Sequence, residues 1–432
     1  MTATAGRRLL YSPSFLGLLV TYFVLGLTSS FIAPFGSLWA TQEIGMSAQL
    51  LGLFMTVNSI SAIIISTLFG RWSDSHLPRR SLLLLGACAG SLANVGYALV
   101  RDPLLLTLIG SSLLGLASMN FAQLFAHVRE ELARPEHEGA DAPFLMGVLR
   151  ACYALAWMVG PNLGAWLKGR LGYPGLFLTT AAFFVLLAAC VQFFVAYRPR
   201  AGATAPVGAT NAPDTAGTPS AEAPVPSPTP ASRFAAWGLT EPGVLAHAAA
   251  FGLMFAAFTL NTLNLPLFLT QKLGETERAV GAAFSISPLF EMLFMVGFGY
   301  LAARGQQRRI ILIGTSAAVC YFVGLRFVNA AWQVYPLQIL NASAVAVVTS
   351  VAIPFFQDLL PRRAGIATSL YSNALKAGSL VGFMTFGLVA SRVGNSGLFL
   401  VCAGLGATTV ALLVLSPRRA PDPAGLPKNA SV

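Results

Sequence analysis

The feature that most constrains this chain is its set of apolar stretches long enough to cross a lipid bilayer as helices. About 20 residues suffice for one crossing. Twelve stretches of that order can be read: 14–40, 48–70, 81–100, 104–127, 144–167, 174–197, 241–269, 279–303, 310–328, 334–357, 366–390 and 396–416. Composition agrees, since 55% of the 432 residues are hydrophobic and 10% are charged, where a soluble domain carries about 25% charged residues. That excludes a water-soluble enzyme, a disordered tail protein and a disulfide scaffold. The expected fold class is an all-α polytopic membrane protein with twelve transmembrane helices. The first stretch follows Arg7-Arg8, is too long for a signal peptide core and reads as an uncleaved first span. The five cysteines each sit in an apolar run, without CxxC or Cys/His spacing, and read as small buried hydrophobes.

The net charge of +11 would suggest nucleic acid in a soluble protein; here it is a topology signal, and no nucleic-acid partner is expected. The N-terminus, the connections 2–3, 4–5, 6–7, 8–9 and 10–11, and the C-terminus together hold 18 of the 27 Lys and Arg residues, against seven on the other side. By the positive-inside rule both termini are expected in the cytoplasm of a cell whose inner membrane holds the chain.

Between 201 and 232 there are seven prolines and no aromatic residue. Such a segment cannot bury a core and reads as a disordered linker. The expected domains are a first six-helix half at 1–197, a Pro/Ala-rich cytoplasmic linker at 198–240, a second six-helix half at 241–416 and a cytoplasmic tail at 417–432. The halves share a signature. Gly70 is followed by Arg79-Arg80 after span 2, and Gly299 by Arg308-Arg309 after span 8, an offset of 229 residues. A six-plus-six parallel repeat with a cavity between the halves is a transporter architecture.

With these residues in view, the chain resembles the major facilitator superfamily. The run Gly70…Asp74…Arg79-Arg80 is similar to that superfamily's signature between helices 2 and 3, departing from it in having Pro78 where Gly is usual and no base directly after Asp74. The resemblance implies that Asp74 steadies one end state of a rocking cycle; the second copy has Ala303 in place of the acid. Span 5 carries Gly160-Pro161-Asn162-Leu-Gly164, similar to the antiporter motif of exporting members. Pro161 removes a backbone donor and kinks a helix, while the glycines permit close helix contact. Further runs resemble the sugar efflux transporter (Set) family: Thr56-Val57-Asn58, Gln123 to Glu130, Arg150 with Leu155-Ala-Trp157, Gln338-Ile-Leu-Asn341-Ala342, and Gln357-Asp358…Pro361…Arg363-Ala-Gly365. That resemblance implies a sugar substrate and gives Asp358 and Arg363 the same conformational standing as the first-half motif.

Three charges fall well inside the spans: Arg150, Glu291 and Lys376. A charge at the bilayer centre costs about 2.5–3.5 kcal/mol on insertion scales, so each should face the bundle interior. Glu291 is the one carboxylate at that depth, and desolvation favours its neutral form, which makes it the candidate proton carrier. The competing reading is a fixed ion pair with Lys376, which lies at a comparable depth. Arg150 can gate, pair with Glu130 or hold a substrate hydroxyl. For substrate the spans offer amides, which donate and accept, and an aromatic platform: Asn58, Gln123, Trp157, Asn261, Gln338, Asn341 and Asn373. Any one of these amides equally suits a simple helix–helix hydrogen bond. The four histidines show no metal-ligand spacing, and nothing resembles a Walker A loop or a nucleophile elbow, so neither a cofactor nor an enzyme activity is expected.

The sequence therefore points to a secondary transporter, a monomer, exporting mono- or disaccharides and glycosides in exchange for protons. The alternative is a drug/proton antiporter of the same fold; those proteins usually carry an Arg four residues before a Gly of span 4, where this chain has Ser111 before Gly115. A non-transporting membrane sensor is a more distant alternative, since no folded output domain is evident.

Overall fold

A computed structural model describes residues 12–75, 78–132, 142–196, 243–360 and 363–416. The expected linker 198–240 and tail 417–432 lie outside the described residues. Among the described residues, nine helices are long and apolar enough to cross a membrane: Pro13–Ser30, Ala48–Phe69, Arg79–Leu99, Pro103–Leu132, Phe144–Phe194, Val244–Lys272, Glu277–Arg326, Ala331–Leu359 and Ile366–Leu415. Three of them run for 50 or 51 residues, about 75 Å if straight, far more than a bilayer core needs. Each is broken by a glycine with positive φ: Gly172 at 67°, Gly305 at 79° and Gly394 at 65°. Side chains oppose that conformation and glycine does not. The 5–6, 8–9 and 11–12 connections thus shrink to tight turns, and the nine helices supply the twelve expected spans. Large apolar side chains such as Phe193 and Val296 remain 81% and 76% exposed, as a lipid-facing surface requires.

Local chemistry sets several helix starts. Ser12 accepts from the Phe15 amide at 3.3 Å ahead of Pro13, and Asp102 accepts from the Leu105 amide at 2.8 Å ahead of Pro103. Both are an N-cap followed by a proline at the first helical position. Span 5 keeps helical backbone through Pro161, its one departure being Gly172 beyond.

The repeat is visible in the backbone. Widened π-helical turns occur at Trp39–Glu43 and Phe268–Lys272, followed by positive-φ glycines at Gly45 and Gly274. Both pairs are 229 residues apart, the offset of the Gly-Arg-Arg signature. Two further π turns, Gly110–Leu114 and Val347–Val351, interrupt spans 4 and 10.

The hydrophobic core follows the same plan. At the end carrying the 1–2, 5–6, 7–8 and 11–12 connections, here called the basic-poor end, one cluster joins both halves, from Leu27 and Phe31 to Phe268 and Phe399. Towards the opposite, basic-rich end the core divides. One cluster around Tyr22, Leu124 and Val191 belongs to the first half, and another around Phe251, Phe356 and Tyr371 to the second. The halves are packed together at one end and part towards the other. Of the cysteines, Cys190 and Cys402 are buried, whereas Cys88 and Cys320 are exposed, a correction to the expectation that all five are interior: a lipid-facing position suits a small apolar side chain equally well.

Candidate functional site

The closed end of the cleft is built on glycine. A Cβ placed on Gly52 of span 2 would stand 2.6 Å from the Gly387 Cα of span 11, and one on Gly281 of span 8 would stand 2.8 Å from the Pro161 carbonyl oxygen of span 5. Helix axes come this near only where side chains are absent. Within span 5, Gly164 would meet the Phe31 carbonyl oxygen at 2.6 Å, and a Cβ on Gly160 would run into the Ser30 hydroxyl, which donates to the Ala156 carbonyl at 3.1 Å. Gly160 and Pro161 therefore sit where span 5 touches both span 1 and span 8. One turn above Gly281, Glu277 forms an ion pair across the halves with Lys168, whose ammonium lies 4.8 Å from the Tyr173 ring centre. Gln42 Nε2 donates to Thr270 Oγ1 at 3.5 Å, also across the halves.

Below this seam the second half carries a chain of polar side chains. Asn261 of span 7 and Gln338 of span 10 both donate to the hydroxyl of Tyr321 on span 9, each at 3.2 Å. The Asn341 amide then donates to Gln338 Oε1 at 3.1 Å and to the Ser287 hydroxyl of span 8 at 3.0 Å. One helical turn further along span 8 is Glu291, about 21 Å from the helix start at Glu277. Thr349, on the π turn of span 10, donates to Glu291 Oε1 at 3.1 Å. Among the described residues no ion pair joins Glu291 to Lys376; Lys376 and Asn373 are exposed on span 11.

The first half contributes a different surface. A cavity of about 300 Å³ lies among spans 1, 3, 4, 5 and 6, lined by Ser29, Asn94, Tyr97, Ser118, Phe121 and Tyr153 among others. Phe121 and Tyr153 meet edge to face at 5.0 Å, and Phe121 stacks on Phe125 at 6.4 Å. The Arg150 guanidinium covers the Phe125 ring at 5.1 Å, so its charge has an aromatic partner rather than Glu130. Asn58 lies beside Tyr97 at Gly110, where a Cβ would stand 2.7 Å from the Asn58 amide. The Trp157 indole N–H is buried with no hydrogen-bond partner among the described residues.

Three of the seven expected substrate residues, Asn261, Gln338 and Asn341, are thus brought into one chain. Gln123 is placed elsewhere: its side-chain oxygen accepts from Arg79 at 3.0 Å, and the same guanidinium holds Glu130 through two hydrogen bonds at 2.9 and 2.7 Å. Arg80 donates to the Gln192 carbonyl at the end of span 6, and Arg308 to the Leu413, Val414 and Ser416 carbonyls at the end of span 12. One arginine of each signature pair, Arg80 in the first half and Arg308 in the second, therefore ties span 6 or span 12, where orphan carbonyls and the helix dipole attract a cation. Asp358 accepts from Gln307 at 2.8 Å, and Arg363 directly precedes the helix Ala364–Leu415, at the start of span 11. Gly70 and Asp74 lie in the last turns of the helix Ala48–Ser75, with side chains outside the described ones.

Sequence reading missed Tyr321, Ser287, Thr349, Phe121 and Tyr153, which are ordinary residues of membrane helices, and it missed the Lys168–Glu277 pair. One signal was present in the sequence. Trp39-Ala-Thr-Gln-Glu-Ile-Gly45 and Phe268-Leu-Thr-Gln-Lys-Leu-Gly274 repeat at the offset of 229, and Gln42 of the first copy touches Thr270 of the second.

The family model described as Major Facilitator Superfamily matches residues 18–239 and 246–431. Relatives named as sugar efflux transporters match over nearly their whole length. One from Deinococcus radiodurans is 31% identical, covering 94% of this chain and 99% of its own. Sugar efflux transporter A of Escherichia coli strain K12 is 28% identical over 88% of this chain and 90% of its own. Among solved structures, a nucleoside transporter NupG mutant superposes with a TM-score of 0.73 at 15% identity, covering 93% of this chain and 99% of that one. A bacterial homologue of the lysosomal transporter Spinster, inward-facing and unoccupied, gives 0.67 at 14% identity, covering 93% of each chain.

Proposed function

This chain belongs to the major facilitator superfamily, and from that premise we propose that it exports sugars and glycosides from the cytoplasm in exchange for protons. Alternating access then comes from two six-helix halves rocking about the cleft. On this reading both termini and the basic-rich end are cytoplasmic, the arrangement seen is open to the cytoplasm and sealed at the opposite end, and a single chain is the working unit.

Support for a sugar comes from the names of the relatives and from the chemistry of the walls. Hydroxyl-rich rings with apolar faces need groups that both donate and accept beside aromatic platforms. The Asn341 amide supplies the first and Phe121 with Tyr153 the second. The observation that carries proton exchange is Glu291: a carboxyl at mid-depth beside the amide chain, bonded to the Thr349 hydroxyl, with no ion pair to Lys376 among the described residues. A carboxyl so placed is free to take up and release a proton as the cleft changes sides.

The test uses inside-out vesicles holding the full chain, an imposed pH gradient (interior acidic), and labelled monosaccharides, disaccharides, glycosides and cationic dyes. Sugar accumulation that collapses with the gradient is expected. Dye accumulation without sugar accumulation overturns the sugar assignment, and sugar flux indifferent to the gradient overturns the coupling.

A further inference from the structure

We propose that Thr349 is a positioning residue for the proton on Glu291, turning its one hydroxyl hydrogen to suit either protonation state. This rests on the proton-exchange reading above. The Thr349 oxygen lies 3.1 Å from Glu291 Oε1 and 3.0 Å from the Val345 carbonyl oxygen one turn back, with the Ala346 carbonyl oxygen at 3.3 Å. A hydroxyl has a single hydrogen and two lone pairs, so it serves one of these acceptors at a time. Thr56, by contrast, makes only the back-bond, to the Gly52 carbonyl at 2.7 Å. Thr349 has a carboxyl as a second partner.

An ionised carboxylate only accepts, whereas a protonated one also donates. With Glu291 ionised, the Thr349 hydrogen points at Oε1. With Glu291 protonated on that oxygen, the hydrogen swings to the Val345 carbonyl, which can only accept, and the Thr349 oxygen receives the carboxyl hydrogen. Both states are satisfied with the heavy atoms where they stand. A lysine in place of Thr349 would suit the ionised state alone and hold the proton off. Of the ionisable side chains on the surrounding spans, Arg150 lies over Phe125, Tyr321 holds Asn261 and Gln338, and Asp358 accepts from Gln307. Lys376 makes no ion pair with Glu291 among the described residues. Thr349 and Glu291 also belong to the same half. As the halves rock, water around the carboxyl is exchanged for water of the other side, but the hydroxyl travels with it.

The experiment acidifies the full chain in lipid vesicles and records its infrared difference spectrum. The C=O stretch of protonated Glu291 is the band that Glu291→Gln removes. Thr349→Val keeps the shape of the side chain without its hydroxyl, and the band is expected at higher frequency because the carboxyl hydrogen has lost its acceptor. Thr349→Ser keeps a hydroxyl and is expected to restore the band. Thr349→Ala, which also lacks the hydroxyl, repeats the shift and guards against a misfolded valine variant. In the transport vesicles above, Thr349→Val is expected to lower gradient-driven sugar accumulation about tenfold, with the KM of sugar–sugar counterflow within about twofold, and Thr349→Ser to recover it. An unmoved band in both Thr349→Val and Thr349→Ala, or a serine variant that behaves as valine does, overturns the proposal alone. Absence of any Glu291-dependent band on acidification overturns the proton-carrier reading and the proposal with it.

Discussion

Glu291 illustrates what a single residue can disclose. A carboxylate inside an apolar run is visible in one dimension, because its insertion cost demands a reason. Whether it is paired is a three-dimensional matter, decided by the Thr349 contact and the absence of an ion pair with Lys376 among the described residues. Glu291→Gln is therefore expected to reduce gradient-driven sugar accumulation to the level found without a gradient, while sugar–sugar exchange across the membrane persists; labelled counterflow measures both. Asn261, Gln338 and Asn341 were legible for the same reason as Glu291, being polar where the surroundings are not. Tyr321, Ser287 and Thr349 were not, since a Tyr, Ser or Thr in a membrane helix attracts no notice until spans 8, 9 and 10 are seen to converge. Gln123 teaches the reverse. An amide in a helix reads the same whether it faces a cleft or an arginine, and only the position of Arg79 separates the two.

Among the elements, helix breaks carry much of the information. The twelve spans were legible from length and hydropathy, and polar residues such as Arg304 to Arg309 marked their boundaries, but that three of the connections are tight turns at Gly172, Gly305 and Gly394 was not. The seam between spans 5 and 8 depends on Gly281. Adding a valine side chain there forces atoms against Pro161 and Ala165, and overpacking of this kind costs about 1–3 kcal/mol. Gly281→Val is expected to lower the population closed at the basic-poor end about tenfold, read as faster thiol labelling of a cysteine placed at Ala165. Lys168→Met removes the ionic contact to Glu277 and should move the same readout in the same direction by a smaller factor, because partly exposed ion pairs contribute about 0–1 kcal/mol.

For the whole molecule, the two halves are copies whose repeat was half legible. The Gly-Arg-Arg signature gave the offset, while the Thr-Gln-x-x-Gly run at the same offset gained meaning once its two copies were found in contact. If the halves rock, cysteines replacing Gln42 and Thr270, joined by a short crosslinker, should stop transport until the linker is cleaved; uptake before and after cleavage measures this, and undiminished uptake by the linked protein would argue against opening at this end. The glycine-built seam has a consequence for how such opening proceeds. Its cohesion is largely dispersion between bare backbones, which forfeits a quarter to a half of its strength over a gap of about 0.5–1 Å. A long flexible ion pair stretches and holds through partial separation, but the Lys168–Glu277 pair beside the glycines contributes only about 0–1 kcal/mol, and apposed glycines cannot stretch. The seam is thus brittle rather than elastic, and parting it should be all-or-none, leaving little room for a half-open form through which protons could leak.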